Sequence, residues 1–176
     1  MRRLAQWIHS TDTTAATNES LKEAIIYNGI NYTTDSIEYR KAKFLNEVSD
    51  YFDVTFLCDY YALNDAVAGA DQRVKNMMWA FWYNPDYQGK GDGILCYPIY
   101  YDNDTILGVN NAGTIAINWD ADEETKYSNG SYVFAGHDSV IWKNVRELLA
   151  TELANSYKRI RANMSNSVMK DYFNTQ

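Results

Sequence analysis

The sequence contains only two cysteines and two histidines among its 176 residues. Cys58 and Cys96 both follow apolar residues, so we expect buried, small hydrophobic side chains rather than a disulfide or a nucleophile. Neither His9 nor His137 stands at zinc-ligand spacing from a cysteine or a carboxylate, and a structural role is expected for both. These scarcities argue against zinc and thiol chemistry.

Long hydrophobic runs are also missing. No apolar stretch approaches the roughly 20 residues that a membrane-spanning helix needs. The residues after Arg2 and Arg3 are too polar for the apolar region of a signal peptide. We therefore expect a soluble chain with no signal peptide in this sequence and no membrane partner. An extracellular, cell-surface or virion location stays open.

Positive charge is in short supply. The chain has 16 Lys and Arg against 23 Asp and Glu, which gives a net charge of -7. Phosphate backbones and anionic lipid surfaces attract basic proteins, so neither nucleic acid nor an anionic membrane is an expected partner. A small basic cluster at 158–161 lies near the end of a predicted helix, where cations complement the helix dipole.

The residues that are present indicate one ordered domain spanning 1–176. Hydrophobic residues make up 46% of the chain, the usual share for a globular protein that buries a core. Tyrosine is abundant, with 15 residues. Most of these rings are expected at the half-buried edges of the core, and the remainder could bind a partner through rigid amphipathic surface.

Apolar periodicity and capping residues predict several helices. The first covers Arg2 to Ser10, and a short second helix runs from Asn18 or Glu19 to Ile26. A helix opened by Thr34-Asp35 follows, and then a helix capped by Asp53 that is apolar around much of its circumference and should be the central buried helix. Asp138 or Ser139 caps a last long helix that runs to about Met164.

Two segments have strand character, Met77 to Tyr83 and Ile94 to Tyr101. The ten residues between them are rich in turn formers, which predicts a β-hairpin with a long loop. Residues 110–136 look irregular, with short strands expected at Thr114–Trp119 and Tyr132–Phe134. The expected fold class is α+β, mainly helical, with a β-hairpin packed on the helices.

Polar side chains flank this hairpin at one end. Asp71 and Asn76 lie on the loop before its first strand, and Asp102 and Asp104 follow its second strand. In an antiparallel pair the start of one strand lies beside the end of the other, so these oxygens should converge. Converging carboxylate and amide oxygens suit Mg²⁺. Ordinary turn and capping chemistry is the alternative for each residue taken alone.

The stretch from Asp50 to Gly108, with the helix start Phe52-Asp53-Val54, resembles the CotH family of atypical protein kinases. The shared features are that helix start, an Asp-x4-Asn loop, a hairpin, and an aromatic-Asp-x-Asp segment beginning at Tyr101. The resemblance implies a kinase-like C-terminal catalytic lobe with these roles: Asp71 as the catalytic residue, Asn76 and Asp102 as metal ligands, Asp104 as an auxiliary ligand or turn former, and Lys75 as a substrate contact.

Such a lobe would use Mg²⁺ and ATP to transfer a phosphoryl group to a protein hydroxyl. Gly69 stands where the family usually has an asparagine. The residues before Phe52 do not have the pattern of the family's five-stranded ATP-gripping lobe, and the glycines at 89, 91 and 93 lack nucleotide-loop spacing. The sequence therefore predicts either a kinase lobe completed by another lobe or protein partner, or a catalytically inert structural or assembly module, for example of a virion tail or surface.

Overall fold

The computed structural model describes residues 2–67, 69, 73, 77–102, 106, 117–118, 126–127 and 139–175. The helices of this part of the chain are α1 (Arg2–Ser10), α2 (Ile37–Glu47), α3 (Val54–Ala66), α4 (Val140–Leu148), α5 (Ala150–Asn163) and α6 (Asn166–Asn174). Its strands form three antiparallel two-stranded sheets: β1 (Ser20–Tyr27) with β2 (Ile30–Thr34), β3 (Met78–Tyr83) with β4 (Ile94–Ile99), and β5 (Ile117–Asn118) with β6 (Lys126–Tyr127).

Helix α3 is the centre of the core, as predicted. The Asp53 side chain accepts a hydrogen bond from the Phe56 amide at 3.0 Å and so caps its first turn. Apolar residues occur on all sides of the helix, so it can be buried on several sides at once. Its buried residues are Leu57, Cys58, Tyr60, Tyr61, Ala62 and Asn64. Helix α5 packs along it.

Aromatic rings connect the helices to the hairpin. Trp142 of α4 stacks between Trp79 of β3 and Tyr60 of α3, with ring centroids 5.6 Å away on each side. Trp79 also contacts Phe52, which in turn contacts Trp7 of α1. Such ring pairs add attraction beyond the burial of their area. This aromatic column therefore holds α1, α3, α4 and the hairpin in one core.

The predicted hairpin is confirmed as β3–β4. Its register runs from Met78 opposite Ile99 to Tyr83 opposite Ile94 without a shift. On the outer side of β4, the Cys96 amide donates to the Tyr51 carbonyl at 2.7 Å, and Phe52 forms an isolated parallel bridge with Cys96. The hairpin is thereby attached to the residues that lead into α3.

The prediction of a short helix from Asn18 or Glu19 to Ile26 is wrong, because Ser20–Tyr27 form β1 of a second hairpin. Asn28 and Gly29 make its two-residue turn, with φ of +49° and +78°. A two-residue turn with positive φ at both positions matches the twist of antiparallel strands, and Asn-Gly is its favoured sequence. The dipeptide joins two strands here instead of ending a helix.

The prediction of a single long last helix is also partly wrong. It starts after Ser139 as predicted, but Leu149 has φ -103° and ψ +30°, and the chain divides there into α4 and α5. Helix α6 follows after Ser165, whose side chain accepts from the Val168 amide. The strand predicted at Thr114–Trp119 contains β5, and Tyr132–Phe134 lies outside the described residues.

The fold class is α+β and mainly helical, as expected. Both cysteines are free and buried, and burial raises the pKa of each thiol to about 12. Within the described ranges, no helix is long and apolar enough to cross a membrane.

Candidate functional site

Of the residues predicted to carry chemistry, Asp102 is described. Asp71, Lys75, Asn76 and Asp104 lie outside the described residues. Asp102 follows β4 after two tyrosines, is exposed, and has a left-handed backbone with φ +56°. Aspartate and asparagine tolerate this conformation better than most side chains. Its backbone therefore suits a tight turn at the end of the hairpin.

The register of the β3–β4 hairpin partly tests whether the segment before β3 and the segment after β4 lie at the same place. Met78 lies opposite Ile99, so the chain enters β3 at the same end at which it leaves β4. Asp102 comes three residues after that end. That Asp102 lies close to the residues before Met77 stays a prediction. The register shows that both segments are at the same end of the hairpin, but it does not give the distances between their side chains.

Arg73, from the middle of the predicted Asp-x4-Asn loop, is buried beneath the helices. Its guanidinium lies 4.2 Å from the ring centroid of Tyr61 and forms an ion pair with Asp65 at 3.2 Å. The Gly69 amide donates to the Asn64 carbonyl at 2.8 Å. A buried guanidinium needs both an anion and a polarisable neighbour. Residues 69 and 73 are therefore both attached to α3.

Asp65 also links this cluster to α5, because the Tyr157 hydroxyl donates a hydrogen bond to it. Burial raises the pKa of Asp65, although nearby Arg73 acts in the opposite direction. Burial likewise raises the pKa of Tyr157, and its bond to Asp65 adds to that effect. The hydroxyl therefore stays a hydrogen-bond donor at physiological pH.

No group of three or more His, Cys, Asp or Glu side chains that could hold a metal ion occurs among the described residues. The predicted Mg²⁺ site depends on three side chains outside them, so it stays a prediction. Arg159, from the basic cluster near the end of α5, donates to Asp59 at 2.8 Å and to Glu152 at 3.0 Å. The contact with Asp59 connects α5 to α3, and the contact with Glu152 lies within α5.

An apolar groove of about 520 Å³ lies on one face of the hairpin and is here called the hairpin groove. Seven residues line it: Phe56, Ala80, Trp82, Tyr97, Pro98, Ile99 and Tyr100. No charged side chain is among them. Apolar grooves lined by aromatic side chains are typical binding sites for ligands or protein partners.

Two ring contacts hold the tyrosines of the groove against α3. Phe56 meets Tyr97 edge to face at 5.4 Å, and Tyr60 lies against Tyr100 at 4.6 Å. Burial raises the pKa of the Tyr100 hydroxyl. A second groove of about 400 Å³ between α3 and α5 shares Phe56 and Tyr100 with the first. An apolar path thus continues from the hairpin onto the helices.

Sequence reasoning missed this groove. The signal was the run from Met78 to Tyr83, which is apolar or aromatic at every position. A strand exposed on one face usually alternates between apolar and polar residues. Continuous apolar character in a strand of a two-stranded sheet indicates that its second face also makes contacts.

Comparisons with protein-family models, with curated proteins and with solved structures gave no match in any of the three.

Proposed function

We propose that the chain is a structural assembly module that binds another protein chain through the hairpin groove. The observation that carries the proposal is the aromatic surface of the hairpin. Trp82 is 72% exposed and Tyr100 is 37% exposed, and both line the groove. Trp and Tyr are the residues that most often dominate the binding energy of protein interfaces.

The construction of the surface supports a binding role. Tyr97 and Tyr100 are held by contacts with α3, so little side-chain entropy is lost when a partner covers them. The wall is apolar, and Ala80 leaves space between larger neighbours. A shaped, rigid and uncharged groove favours an apolar segment of a folded or extended protein over a charged small molecule.

The proposal is tested with a photo-crosslinking amino acid placed at position 82 or 99 of the full chain in its native host, because both positions are exposed and line the groove. The exposed Glu38 on α2 is the control position. We expect one protein adduct of constant mass from both hairpin positions and none from position 38. Absence of an adduct at both hairpin positions would refute the assembly role.

A second candidate function is the Mg²⁺-dependent phosphoryl transfer from ATP to a protein hydroxyl that the family resemblance implies. The hairpin register favours it, because the predicted metal-binding segments leave and enter the hairpin at one end. Asp71 would orient the acceptor hydroxyl, Asn76 and Asp102 would hold Mg²⁺ with Asp104 as an auxiliary ligand, and Lys75 would contact substrate. A separate ATP-gripping lobe would have to complete the site.

Under this second candidate, Asp102→Asn is expected to abolish Mg²⁺ binding and leave folding intact. The amide removes the anionic oxygen, and asparagine accepts the left-handed backbone at this position. Titration calorimetry with Mg²⁺ alone and with Mg·ATP measures the loss. Asp86→Asn, which changes another exposed carboxylate in the β3–β4 loop, should leave the titration unchanged. Equal Mg²⁺ binding by Asp102→Asn and the parent would place the metal elsewhere.

A further inference from the structure

The two edges of the β3–β4 hairpin differ. Because Cys96 turns its amide away from β3 toward Tyr51, the pair Phe81–Cys96 is one whose backbone groups point outward. Asn84 donates to the Gly93 carbonyl at 2.8 Å, which agrees with this alternation. Trp79, Phe81 and Tyr83 therefore direct their backbone N–H and C=O groups away from β4.

The outer edge of β4 is closed. Cys96 is paired with Tyr51, the Ile94 amide donates to the Asp92 side chain at 3.1 Å, and Pro98 has no N–H to offer. The outer edge of β3 is different, because no hydrogen bond joins it to any other described backbone segment. It also lacks the charges, prolines and bulges with which proteins usually protect an edge strand.

We propose that this edge pairs with the same edge of a second copy of the chain, so that two hairpins form one four-stranded antiparallel sheet. The proposal rests on the proposed function, in which the hairpin surface binds a protein chain, and it names that chain. The two-fold axis passes beside Phe81, which lies opposite Phe81 of the other copy. Trp79 then lies opposite Tyr83 of the other copy.

The side chains of β3 are self-complementary in this register. Ala80 of one copy lies opposite Trp82 of the other, so each exposed indole covers the small residue at the floor of the other groove. Cross-strand pairs of this kind are the unit of sheet stabilisation. No charged residue occurs in β3, so the net charge of -7 on each copy places no like charges across the strand pair.

The area available agrees with a concentration-dependent dimer. Phe81, Trp82 and Tyr83 are 38%, 72% and 61% exposed. At about 200 Å² for each aromatic side chain, these six rings expose roughly 700 Å² in two copies, which is the upper limit of the area that they can bury in the interface. Exposed Met78 and Ile99 add to this, which brings the interface near the roughly 1,000 Å² lower limit for specific association.

The deciding experiment is a charge swap on the two-fold axis. Phe81→Lys and Phe81→Glu each place like charges opposite each other, and each is expected to weaken self-association roughly tenfold or more. Mixing the two variants places opposite charges there and should restore a heterodimer. Sedimentation equilibrium across a range of protein concentrations gives the dissociation constants, and mass spectrometry of the mixture identifies the heterodimer.

Two further variants guard against a misreading caused by misfolding or by a general change in charge. Trp82→Ser alters only an exposed side chain, so it should fold normally and still weaken the dimer. Tyr172→Lys on α6, 61% exposed and remote from the strand in sequence, should leave the dissociation constant unchanged. A parent chain that stays monomeric at every concentration, or lysine and glutamate variants that self-associate like the parent, would overturn the dimer.

The crosslinking experiment separates this inference from the proposed function. Adducts from position 82 between two copies of the chain support both statements. Adducts only with a different protein, together with a monomeric parent, would refute the dimer and keep the assembly role. No adduct at all would refute both.

Discussion

Replacing Trp142 by alanine is expected to lower the free energy of unfolding by about 4 kcal/mol. Trp142 has no exposed surface and stacks between Trp79 and Tyr60. Its indole nitrogen also donates to the Met77 sulfur at 3.1 Å. Alanine would leave a cavity where helix α4, helix α3 and the hairpin meet. Since domains of this size are stable by only about 5–15 kcal/mol, much of the total stability depends on this ring.

Urea denaturation followed by circular dichroism measures the change, with Trp82→Ala as the matched control. Trp82 is the same residue type but lies on β3 and is 72% exposed, so its truncation should cost less than about 0.5 kcal/mol in the monomer. A loss below about 1 kcal/mol for Trp142→Ala would mean that the aromatic column does not hold the core together.

Helices and strands that depend on contacts between residues close in sequence were predicted correctly. Asp53 begins α3 because its carboxylate can reach the amide three residues later, a contact set by local geometry alone. The bounds of α1, Arg2–Ser10, also agree with the prediction. The β3–β4 hairpin was also predictable, because apolar strands on both sides of a turn-rich loop have few other solutions.

The β1–β2 hairpin shows where two local signals conflict. Leu21, Ala24 and Ile25 have helical spacing, and Asn28-Gly29 can end a helix as well as form a hairpin turn. The strand outcome depends on the partner strand and on contacts at the base, where the Asn18 amide donates to the Asp35 carbonyl and the Asp35 amide donates to the Glu19 carbonyl. Periodicity within one segment contains no information on these pairings.

The break at Leu149 and the hairpin groove depend on tertiary packing. No glycine or proline in the sequence marks the break between α4 and α5. The break lets α5 lie along α3 while Trp142 of α4 stays in the aromatic column. The groove likewise requires Phe56 of α3 to meet Tyr97 of β4, residues that are distant in sequence. A pattern read along the chain can suggest a spare apolar face, but it cannot say which residues border it.

The ion pair between Asp35 and Arg40 is expected to make stability depend on pH in the acid range. Arg40 is buried and donates to both carboxylate oxygens of Asp35 at 2.7 Å. It also donates to the carbonyl of His9, in the last turn of α1, and to the carbonyl of Asp12, just after that helix. The pair therefore joins the end of α1 to the start of α2.

These bonds, chiefly those from Arg40, lower the pKa of Asp35 from 3.8 to about 2. The carboxylate is thus favoured in the folded state. Its contribution is fully present above about pH 4 and is lost as the pH falls toward 2, and a shift of this size corresponds to about 2 kcal/mol. Asp35→Asn should therefore reduce the free energy of unfolding most at neutral pH, and the difference from the parent should shrink below pH 4.

Urea denaturation of the parent and Asp35→Asn at a series of pH values tests this expectation. Glu47→Gln provides the same carboxylate-to-amide change in the Lys43–Glu47 pair, which lies on one helix surface. That change should cost less than about 0.5 kcal/mol, because such helix pairs contribute little. A difference between Asp35→Asn and the parent that stays constant from neutral pH to pH 2 would show that hydrogen-bond geometry, and not the charge of Asp35, joins α1 to α2.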